Sequence, residues 1–597
     1  MSIHPIDISI VVLYLITVVV IGIYISKRAS QNLDTYFLAG RSVPWYILGI
    51  SNSSSMFDIT GTMWLVLMFL VYGVKGAWIP WIWPTFNQIF LMIYLSIWIR
   101  RSNVLTGSEW ITTRFGEGKG AELSRISVLL FAMISVIGFL AYAFQGIGKF
   151  ASVFFPYNVA PEVYAIIFMG ITTVYVVLGG MYSVVFTDLI QFTLLTIVSI
   201  VIGIIAFNRV SPEALYQSVP DGWFDLSFGW KLDLDWSELI PAANSQIASD
   251  GWNLFTIFFM MMIFKGMLIS VAGPTPGYDM QRILASKTPK EAGLMSGIVS
   301  ICQIPRWFMI VGVTTLALVF FSNDLIAMGD KVDFELVLPW VINEFLPVGL
   351  VGFVLAGMLA AFMSTFDSTV NAGAAYLVND LYKRYINPNA SSQIYIKASY
   401  ISSFLIVGVG IIFGFMSESV NSITQWIVSG LFGGYTAPNI LKWHWWRFNG
   451  FGYFSGMVAG VAAALIIPII LPELSPLSAF PFILLFSGFA GILGSLFTKP
   501  DNEKTLMEFY KNIRPWGLWS PILKKINSTD NTIKQNTNFL NDLLNIVVGM
   551  IWQISLVLIP INLLVYKYSA FFFSLIIAII TTLFLKKNWY EKLDSEF

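Results

Sequence analysis

Long apolar stretches alternate with short polar ones from one end of this chain to the other. A helix needs about 20 apolar residues to cross a bilayer, so this repetition predicts an all-α protein with many membrane spans. We interpret fifteen stretches as spans, and thirteen to fifteen as the defensible range, because neighbouring stretches can merge or split. They cover about 7–26, 44–70, 78–99, 122–150, 162–178, 184–207, 251–276, 291–321, 347–380, 396–416, 421–445, 451–472, 479–498, 543–565 and 568–585.

The composition supports this interpretation. Of the 597 residues, 56% are hydrophobic and only 11% are charged, whereas a soluble domain carries about 25% charged residues. A chain with so few polar residues cannot cover a folded surface in water, which excludes a soluble enzyme, a nucleic-acid-binding protein and a disordered scaffold. One cysteine, Cys302, excludes an internal disulfide, and two histidines give no support to a zinc site.

The basic residues predict the orientation, because Lys and Arg accumulate in short cytoplasmic loops. If the N-terminus lies outside, the cytoplasmic segments hold 26 of the 34 Lys and Arg and the outside holds six. The loop 208–250 then forms a partly ordered external cap, and segment 499–540 is a cytoplasmic linker that separates the last two spans from the rest. We expect the protein to lie in a bacterial cytoplasmic membrane, because the sequence shows no large appended domain.

Polar residues occupy the middle of the second span, between Ile50 and Gly61, where four serines, an asparagine and Asp58 follow one another. Serine and asparagine side chains compete with helical hydrogen bonds, so we predict a broken helix whose free carbonyls could hold a cation. The alternative is an intact helix with a small polar packing face. A comparable interruption at 270–277, with two prolines, lies on a segment that runs the opposite way. Together they indicate an inverted-repeat transporter.

The ninth span carries a set of oxygen-bearing residues on one helix face. Residues 361, 364, 365 and 368 share this face, and Asp367 lies beside it. Hydroxyl and carbonyl oxygens suit a hard cation such as sodium, although a serine face can also simply pack against another helix. In the sixth span, Asp188 lies about one turn from the cytoplasmic side, where it is either a cation ligand or a carboxylate that stabilises the helix N-terminus.

Four segments together resemble the sodium/solute symporter family, over roughly residues 5 to 450. They are Asp34–Trp45, Gly179–Gln191, Gln281-Arg282 with Ser286-Lys287, and Ala361–Arg384. The resemblance implies a LeuT-like five-plus-five inverted repeat with one extra N-terminal helix and about four extra C-terminal ones. The implied parts are an N-terminal helix and loop (1–43), the ten-helix transport core (44–450), two added spans (451–498), the linker (499–540), and two C-terminal spans with a tail (541–597).

The resemblance also implies where sodium binds. The main site takes backbone carbonyls of the first broken helix, at Ser53 and Met56, and oxygens of Ala361, Ser364 and Thr365. Some family members hold a second sodium ion, and the matching residues here are Asp188, Ser364, Asp367 and Ser368. Because Asp367 replaces a hydroxyl residue, it either strengthens this second site or takes up a proton instead. We therefore expect one or two sodium ions as coupling ions.

The sequence indicates the residues that contact the solute less clearly than those that bind sodium. The candidates are Ser55, Phe57, Asp58, Thr60, Asn87, Gln88, Gln145, Lys265 and Gln425. Lys265 lies deep in its span, and we expect it to pair with Asp58 or to receive a substrate carboxylate, the alternative being a purely structural pair. Arg306 is expected to snorkel or to pair locally. Where the sugar-carrying branch of the family has a Tyr-Trp pair, this chain has Gly273–Pro276, so a close copy of the glucose carriers is not expected, although another sugar stays open.

The function implied is secondary active transport, in which sodium drives the import of a small polar organic solute by alternating access. The solute could be a sugar, a sugar acid, an amino acid or a carboxylate. An alternative is a membrane sensor that kept the transporter fold without turnover. An intramembrane enzyme is not expected, since paired histidines and a Ser-His arrangement are both missing. The expected partners are the solute and the lipid bilayer, with no nucleic acid and no protein partner inferred.

Overall fold

A computed structural model describes residues 4–29, 32–82, 85–155, 159–227, 229–250, 265–417, 432–471, 473–474, 476–528 and 532–595. The helices of the first half are α1 (Pro5–Ala29), α2 (Leu33–Leu38), α3 (Trp45–Met56), α4 (Ile59–Tyr72), α5 (Thr85–Phe90), α6 (Ser96–Arg101), α7 (Gly107–Phe115), α8 (Lys119–Phe154), α9 (Pro161–Arg209), α10 (Pro212–Gln217) and α11 (Pro241–Asp250).

Residues 265–272 are also helical. The helices that follow are α12 (Tyr278–Ala285), α13 (Pro289–Cys302), α14 (Ile304–Phe320), α15 (Ser322–Met328), α16 (Val337–Phe345), α17 (Leu350–Ala375), α18 (Ser392–Phe415), α19 (Phe432–His444), α20 (Gly450–Ile470), α21 (Pro476–Leu496), α22 (Glu503–Ile513), α23 (Ser520–Asn527), α24 (Phe539–Leu564) and α25 (Tyr568–Asn588). Short 3₁₀ and π segments join some of them, and the described residues contain no β-strand.

Eleven helical stretches of the described residues are long and apolar enough to span a membrane, and each overlaps a predicted span. The other four predicted spans differ for separate reasons. The third is built from short 3₁₀, α and π pieces between Gly73 and Arg101, and the fifth is the shorter apolar helix Pro161–Val174. The seventh and eleventh lie partly outside the described residues.

The most buried helices lie at the centre of the molecule. Every residue of α4 is buried, and α17 is buried over nearly its whole length. By contrast, peripheral helices expose large apolar side chains, such as Leu13 on α1 and Ile469 on α20. Lipid tails are as apolar as these side chains, so exposure to them has no hydrophobic penalty.

Both predicted helix interruptions are confirmed. Helix α3 ends at Met56, Phe57 has non-helical backbone angles, and Asp58 caps the N-terminus of α4 by accepting the backbone N–H of Gly61 at 2.7 Å. The helical segment 265–272 ends before Gly273, and a non-helical stretch separates it from α12. Helix α9 also changes direction, at Gly180, whose φ of +52° suits a residue without a Cβ.

The predicted external cap is ordered where it docks on the end of α4. The indole N–H groups of Trp223 and Trp236 donate to the carbonyl oxygens of Leu70 and Val71, both at 3.0 Å. Both tryptophans are fully buried. These bonds satisfy carbonyls that the helix end would otherwise leave without partners.

The described residues of the segment predicted as a linker form two helices, and the segment does not detach the last two helices of the chain. Helices α22 and α23 bury Phe509 and Ile522 against their neighbours. Helix α24 packs against α14, and the Tyr566 hydroxyl donates to the Val210 carbonyl at 2.5 Å. The prediction that the last two spans stand apart is therefore wrong, because apolar faces on α24 and α14 bury each other.

Candidate functional site

The first helix interruption meets α17 through a set of oxygen atoms. The Thr365 hydroxyl donates to the Ser55 carbonyl at 2.7 Å and also lies 3.3 Å from the Ala361 carbonyl. The Ser55 hydroxyl lies 3.2 Å from the Ser364 carbonyl and 3.3 Å from the Ser364 hydroxyl. The structure thus brings together the predicted main-sodium residues of α17 with the broken helix, and all of these oxygens are buried.

The two carbonyls predicted to complete that set have other hydrogen-bond donors. The Ser53 carbonyl accepts the backbone N–H of Phe57 at 3.0 Å, as in an ordinary helix turn. The Met56 carbonyl accepts the Arg306 guanidinium at 2.5 Å. The carbonyl that faces Thr365 is that of Ser55, which sequence reasoning assigned to the solute. The exact residue at which the helix breaks decides which carbonyl turns toward α17.

The predicted second sodium site contains a guanidinium group. Asp188 accepts hydrogen bonds from the hydroxyls of Ser51 and Ser364, and Arg282 on α12 lies 3.0 Å from its carboxylate. The same Arg282 nitrogen, Nη2, donates to the hydroxyl of Ser368 at 2.7 Å. We call Ser51, Ser55, Asp188, Arg282, Ser364 and Ser368 the Asp188 cluster.

Asp367 lies at the edge of this cluster, where its carboxylate accepts the Ser368 hydroxyl at 3.2 Å. Sequence reasoning placed Asp188, Ser364, Asp367 and Ser368 together correctly but missed Arg282, which it used only as part of a motif. The sequence does point to such a role for Arg282. An arginine one or two turns after a helix interruption at membrane depth needs a carboxylate partner.

A second arginine–aspartate pair lies at the break of the first helix. Arg306 on α14 lies 3.0 Å from the Asp58 carboxylate, which also accepts the Tyr142 hydroxyl at 2.7 Å. Gly61 leaves the room for this group, since a Cβ there would come within 2.9 Å of atoms of all three side chains. We call Asp58, Tyr142 and Arg306 the Asp58 cluster.

The ion pair that Asp58 forms differs from the predicted one, in which Lys265 was its partner. The predicted pair of Lys265 with Asp58 is wrong, because Arg306 occupies that position. The Lys265 ammonium lies 5.0 Å from the ring centroid of Phe480, on α21, as a cation–π contact. Arg306, which was expected to snorkel or to pair locally, is buried and pairs with a residue of another helix, at the helix break.

The other predicted solute contacts separate into two groups. Thr60 packs against Gly146, Phe57 lies under the Arg306 guanidinium at 5.5 Å, and Gln145 donates to the carbonyls of Gly414 and Ser417 at 2.9 and 2.8 Å. Gln145 is therefore engaged in joining α8 to the end of α18. Gln425 lies outside the described residues.

Asn87 and Gln88 belong to the second group, since each has a buried side-chain carbonyl oxygen without a hydrogen-bond partner among the described residues. Asn87 lines a cavity of about 60 Å³ between the second interruption and α17. Asp279 lines the same cavity and accepts the Asn52 side-chain amide at 2.7 Å. Asp279 was missed from sequence, because nothing in its immediate neighbours distinguishes it from a surface carboxylate.

The comparisons with known proteins agree with this architecture. A model of the sodium:solute symporter family matches residues 36–460 of this chain. Among similar proteins, a sodium/glucose cotransporter 4 of Danio rerio is 24% identical over 77% of this chain and 71% of its own length. A sodium/glucose cotransporter of Vibrio parahaemolyticus is 22% identical over 77% of this chain and 84% of its own length.

A solved structure supports the fold. It is a Na⁺-coupled sialic acid symporter in a substrate-bound outward-open state, with a TM-score of 0.66 and 16% identity over 84% of this chain and 99% of that one. The fold is thus an all-α, LeuT-like membrane protein, as the sequence predicted. A family match that covers most of the chain, together with helix breaks in the expected places, establishes that this chain belongs to the sodium:solute symporter family.

Proposed function

We propose that this protein imports a small polar organic solute together with sodium, by alternating access. The observation that carries the proposal is the oxygen set in which Thr365 and Ser364 of α17 meet Ser55 of the broken helix. A sodium ion bound by oxygens of both helices would hold these helices together. We further propose that the N-terminus lies outside the cytoplasm of a bacterial cell, as the distribution of basic residues indicates.

Sodium and solute binding would be coupled through the broken helix. Ser55 lies just before the break and Asp58 just after it. A ligand that fixes one side of the break restricts the backbone on the other side, so each ligand raises the affinity for the other by the same factor. Such coupling favours the carrier that holds both ligands over the carrier that holds only one of them.

The solute site we propose lies between the Asp58 cluster and the cavity beside Asn87. The cluster offers a carboxylate acceptor next to guanidinium donors, and its charged side chains keep 11% and 12% of their surface exposed. The buried acceptors of Asn87 and Gln88 would be satisfied by a ligand that carries hydroxyl or amine donors. Sugars, sugar acids and amino acids all meet this description.

Solute uptake into proteoliposomes tests the proposal. A panel of sugars, sugar acids, amino acids and carboxylates is offered with an inward sodium gradient, with choline in place of sodium, and with sodium plus a protonophore. We expect at least one solute to accumulate only with the sodium gradient. Uptake that is indifferent to sodium, or that the protonophore alone abolishes, would contradict the sodium assignment.

The main sodium site is tested by Thr365→Val, which removes the hydroxyl and keeps the side-chain shape. We expect the sodium affinity to fall by about tenfold or more, equivalent to about 1.4 kcal/mol. Thr172→Val is the matched control, because Thr172 is a buried threonine that donates to a carbonyl of its own helix away from the site. Sodium titration of solute binding measures both, and equal effects would contradict the role of Thr365.

A further inference from the structure

Asp279 places a carboxylate on the wall of the cavity beside Asn87. The Asn52 side-chain amide donates to this carboxylate at 2.7 Å, and the Gln88 side chain also hydrogen-bonds to it. Both of these partners are uncharged, and both are buried. Because Asn52 lies about one turn before the break of the first helix, Asp279 lies at the depth of that break, where an uncompensated charge is costly.

No cationic side chain among the described residues forms an ion pair with Asp279. The one basic residue of its helix, Arg282, is engaged by Asp188 and by the serine hydroxyls of the Asp188 cluster. Asp367 adds a second carboxylate at the edge of that cluster. Arg282 is thus already outnumbered by carboxylates, and Asp279 is left without a counter-charge of its own.

The polar atoms next to this carboxylate are mainly hydrogen-bond acceptors. A carboxylate accepts and does not donate, so Asn52 and Gln88 turn their amide nitrogens toward Asp279, and the carbonyl oxygens of the same amide groups remain for other donors. These two oxygens and that of Asn87 have no hydrogen-bond partner in the part of the chain that the structure describes. Such a wall requires a ligand that brings several donors.

A protonated amine matches this wall better than a hydroxyl or a carboxylate does. An ammonium group brings up to three N–H donors, no acceptor and the missing positive charge. A hydroxyl brings one donor and no charge, and a carboxylate would be repelled by Asp279. Phe139 and Phe432 line the same cavity, and the faces of aromatic rings attract cations.

We propose that the transported solute carries a protonated amine and that Asp279 binds this amine. The inference rests on the proposed sodium-coupled transport, and it narrows the solute to amines, amino acids and amino sugars. The cavity of about 60 Å³ has room for about four water-sized groups, so it would hold the amine end of a larger solute. Asp279 is then the residue that determines specificity for the charge of the solute.

Three small probes with the same two-carbon skeleton test the proposal: ethanolamine is a cation, ethylene glycol is neutral and glycolate is an anion. Each is titrated, at equal ionic strength and fixed sodium concentration, into the purified full-length protein, and the thermal unfolding midpoint is measured. We expect only ethanolamine to raise the midpoint of the wild type, and Asp279→Asn to lower its affinity at least tenfold. Asp250→Asn is the matched control, because Asp250 is also buried and accepts from neutral groups, the Tyr72 hydroxyl and the Gln246 amide.

An absent shift with ethanolamine, or an equal shift with ethylene glycol, would overturn the inference. An Asp279→Asn variant that responds to ethanolamine like the wild type would also overturn it. Sodium titration without a probe should give the same sodium affinity for both proteins, and a loss in Asp279→Asn would show that the carboxylate binds the ion instead of the amine. If this variant does not fold, the three probes on the wild type decide.

The uptake screen separates this inference from the proposed function. Sodium-driven uptake of a solute without an amine would overturn the role of Asp279 and leave sodium-coupled transport intact. A response to ethanolamine without sodium-driven uptake of any solute in the panel would overturn the proposed function and leave the amine site standing.

Discussion

The protein contains two buried arginine–aspartate pairs that look alike in isolation and differ in their surroundings. In both, a guanidinium nitrogen lies 3.0 Å from a carboxylate oxygen. The Arg282–Asp188 pair is buried and surrounded by serine hydroxyls from two helices, α3 and α17. The Arg306–Asp58 pair is partly exposed, and its other partners are a tyrosine and backbone carbonyls at a helix break.

We expect this difference to separate a structural ion pair from a pair that can contact the solute. A pair with no exposed surface cannot exchange its partners for a ligand without moving whole helices. A pair with some exposed surface, next to a backbone that lacks regular hydrogen bonds, can do so by small side-chain rotations. The same two residue types therefore serve one site as a structural ion pair and the other as a candidate solute contact.

The largest expected effect is that of Asp188→Ala on stability. It leaves the Arg282 charge buried without a carboxylate, which typically destabilises a protein by about 3–5 kcal/mol. Asp58→Ala should destabilise less, because Arg306 keeps two backbone carbonyls and some exposed surface. Thermal unfolding of the purified proteins in detergent measures both.

The double variant Asp188→Asn/Arg282→Gln serves as a control for this comparison. It removes both charges, so much of the lost stability should return. Equal losses for Asp188→Ala and Asp58→Ala would show that burial does not distinguish the two pairs.

The second prediction concerns the Asp58 cluster. Gly61→Ala would place a methyl group within 2.9 Å of atoms of Asp58, Tyr142 and Arg306, and should lower solute affinity by about tenfold, or about 1.4 kcal/mol. Gly170→Ala is the matched control, because nothing lies within 4 Å of a Cβ at this membrane-embedded position.

Equilibrium binding of the solute identified in the uptake screen measures this effect. The amount of sodium that Gly61→Ala binds at saturation should stay that of the wild type, because the atoms around Gly61 are not those of the proposed main sodium site. Unchanged solute affinity in Gly61→Ala would remove the Asp58 cluster from the proposed solute site.

The smallest expected effect concerns a third pair, Arg114 with Asp501. This pair lies outside the membrane spans, and its charged atoms are 3.7 Å apart. Burial raises the pKa of Asp501 to about 6, although Arg114 opposes this shift. The folded protein therefore binds this proton more tightly than the unfolded chain, so stability falls as the pH rises from about 4 to about 6.

The Asp501→Asn variant removes this titration. Its thermal midpoint relative to the wild type should therefore rise across that pH range, by on the order of 1–2 °C in so large a protein. Thermal scans at several pH values measure it, and parallel curves for the two proteins would contradict the assigned cause.

The elements of the fold could be predicted from sequence because their causes are local. Apolar length fixes the spans, and serine, asparagine and proline at membrane depth fix the two interruptions, which the structure confirms at Phe57 and after Ala272. The residues of α17 that share one face could also be placed together, since helical periodicity alone brings Ala361, Ser364, Thr365 and Ser368 into line.

The pairing of charges could not be predicted in the same way. Whether Lys265 or Arg306 meets Asp58 depends on which faces of distant helices touch, and a single sequence does not determine these rotations. For Arg282, the sequence indicates that a carboxylate partner is needed, but it does not determine which carboxylate on a distant helix supplies it. The folded state of segment 499–540 was missed because α22 and α23 are short amphipathic helices, whose polar faces make the average composition resemble that of a linker.

The number of oxygen sets beside α17 that bind sodium would also set how far this carrier could concentrate its solute. With one sodium ion entering per solute molecule and no membrane potential, the gradient of an uncharged solute at equilibrium would equal the sodium gradient. With two ions, it would equal the square of that gradient. A second ion would therefore raise accumulation, but it would also double the number of ions that the cell must export again for each molecule it takes up.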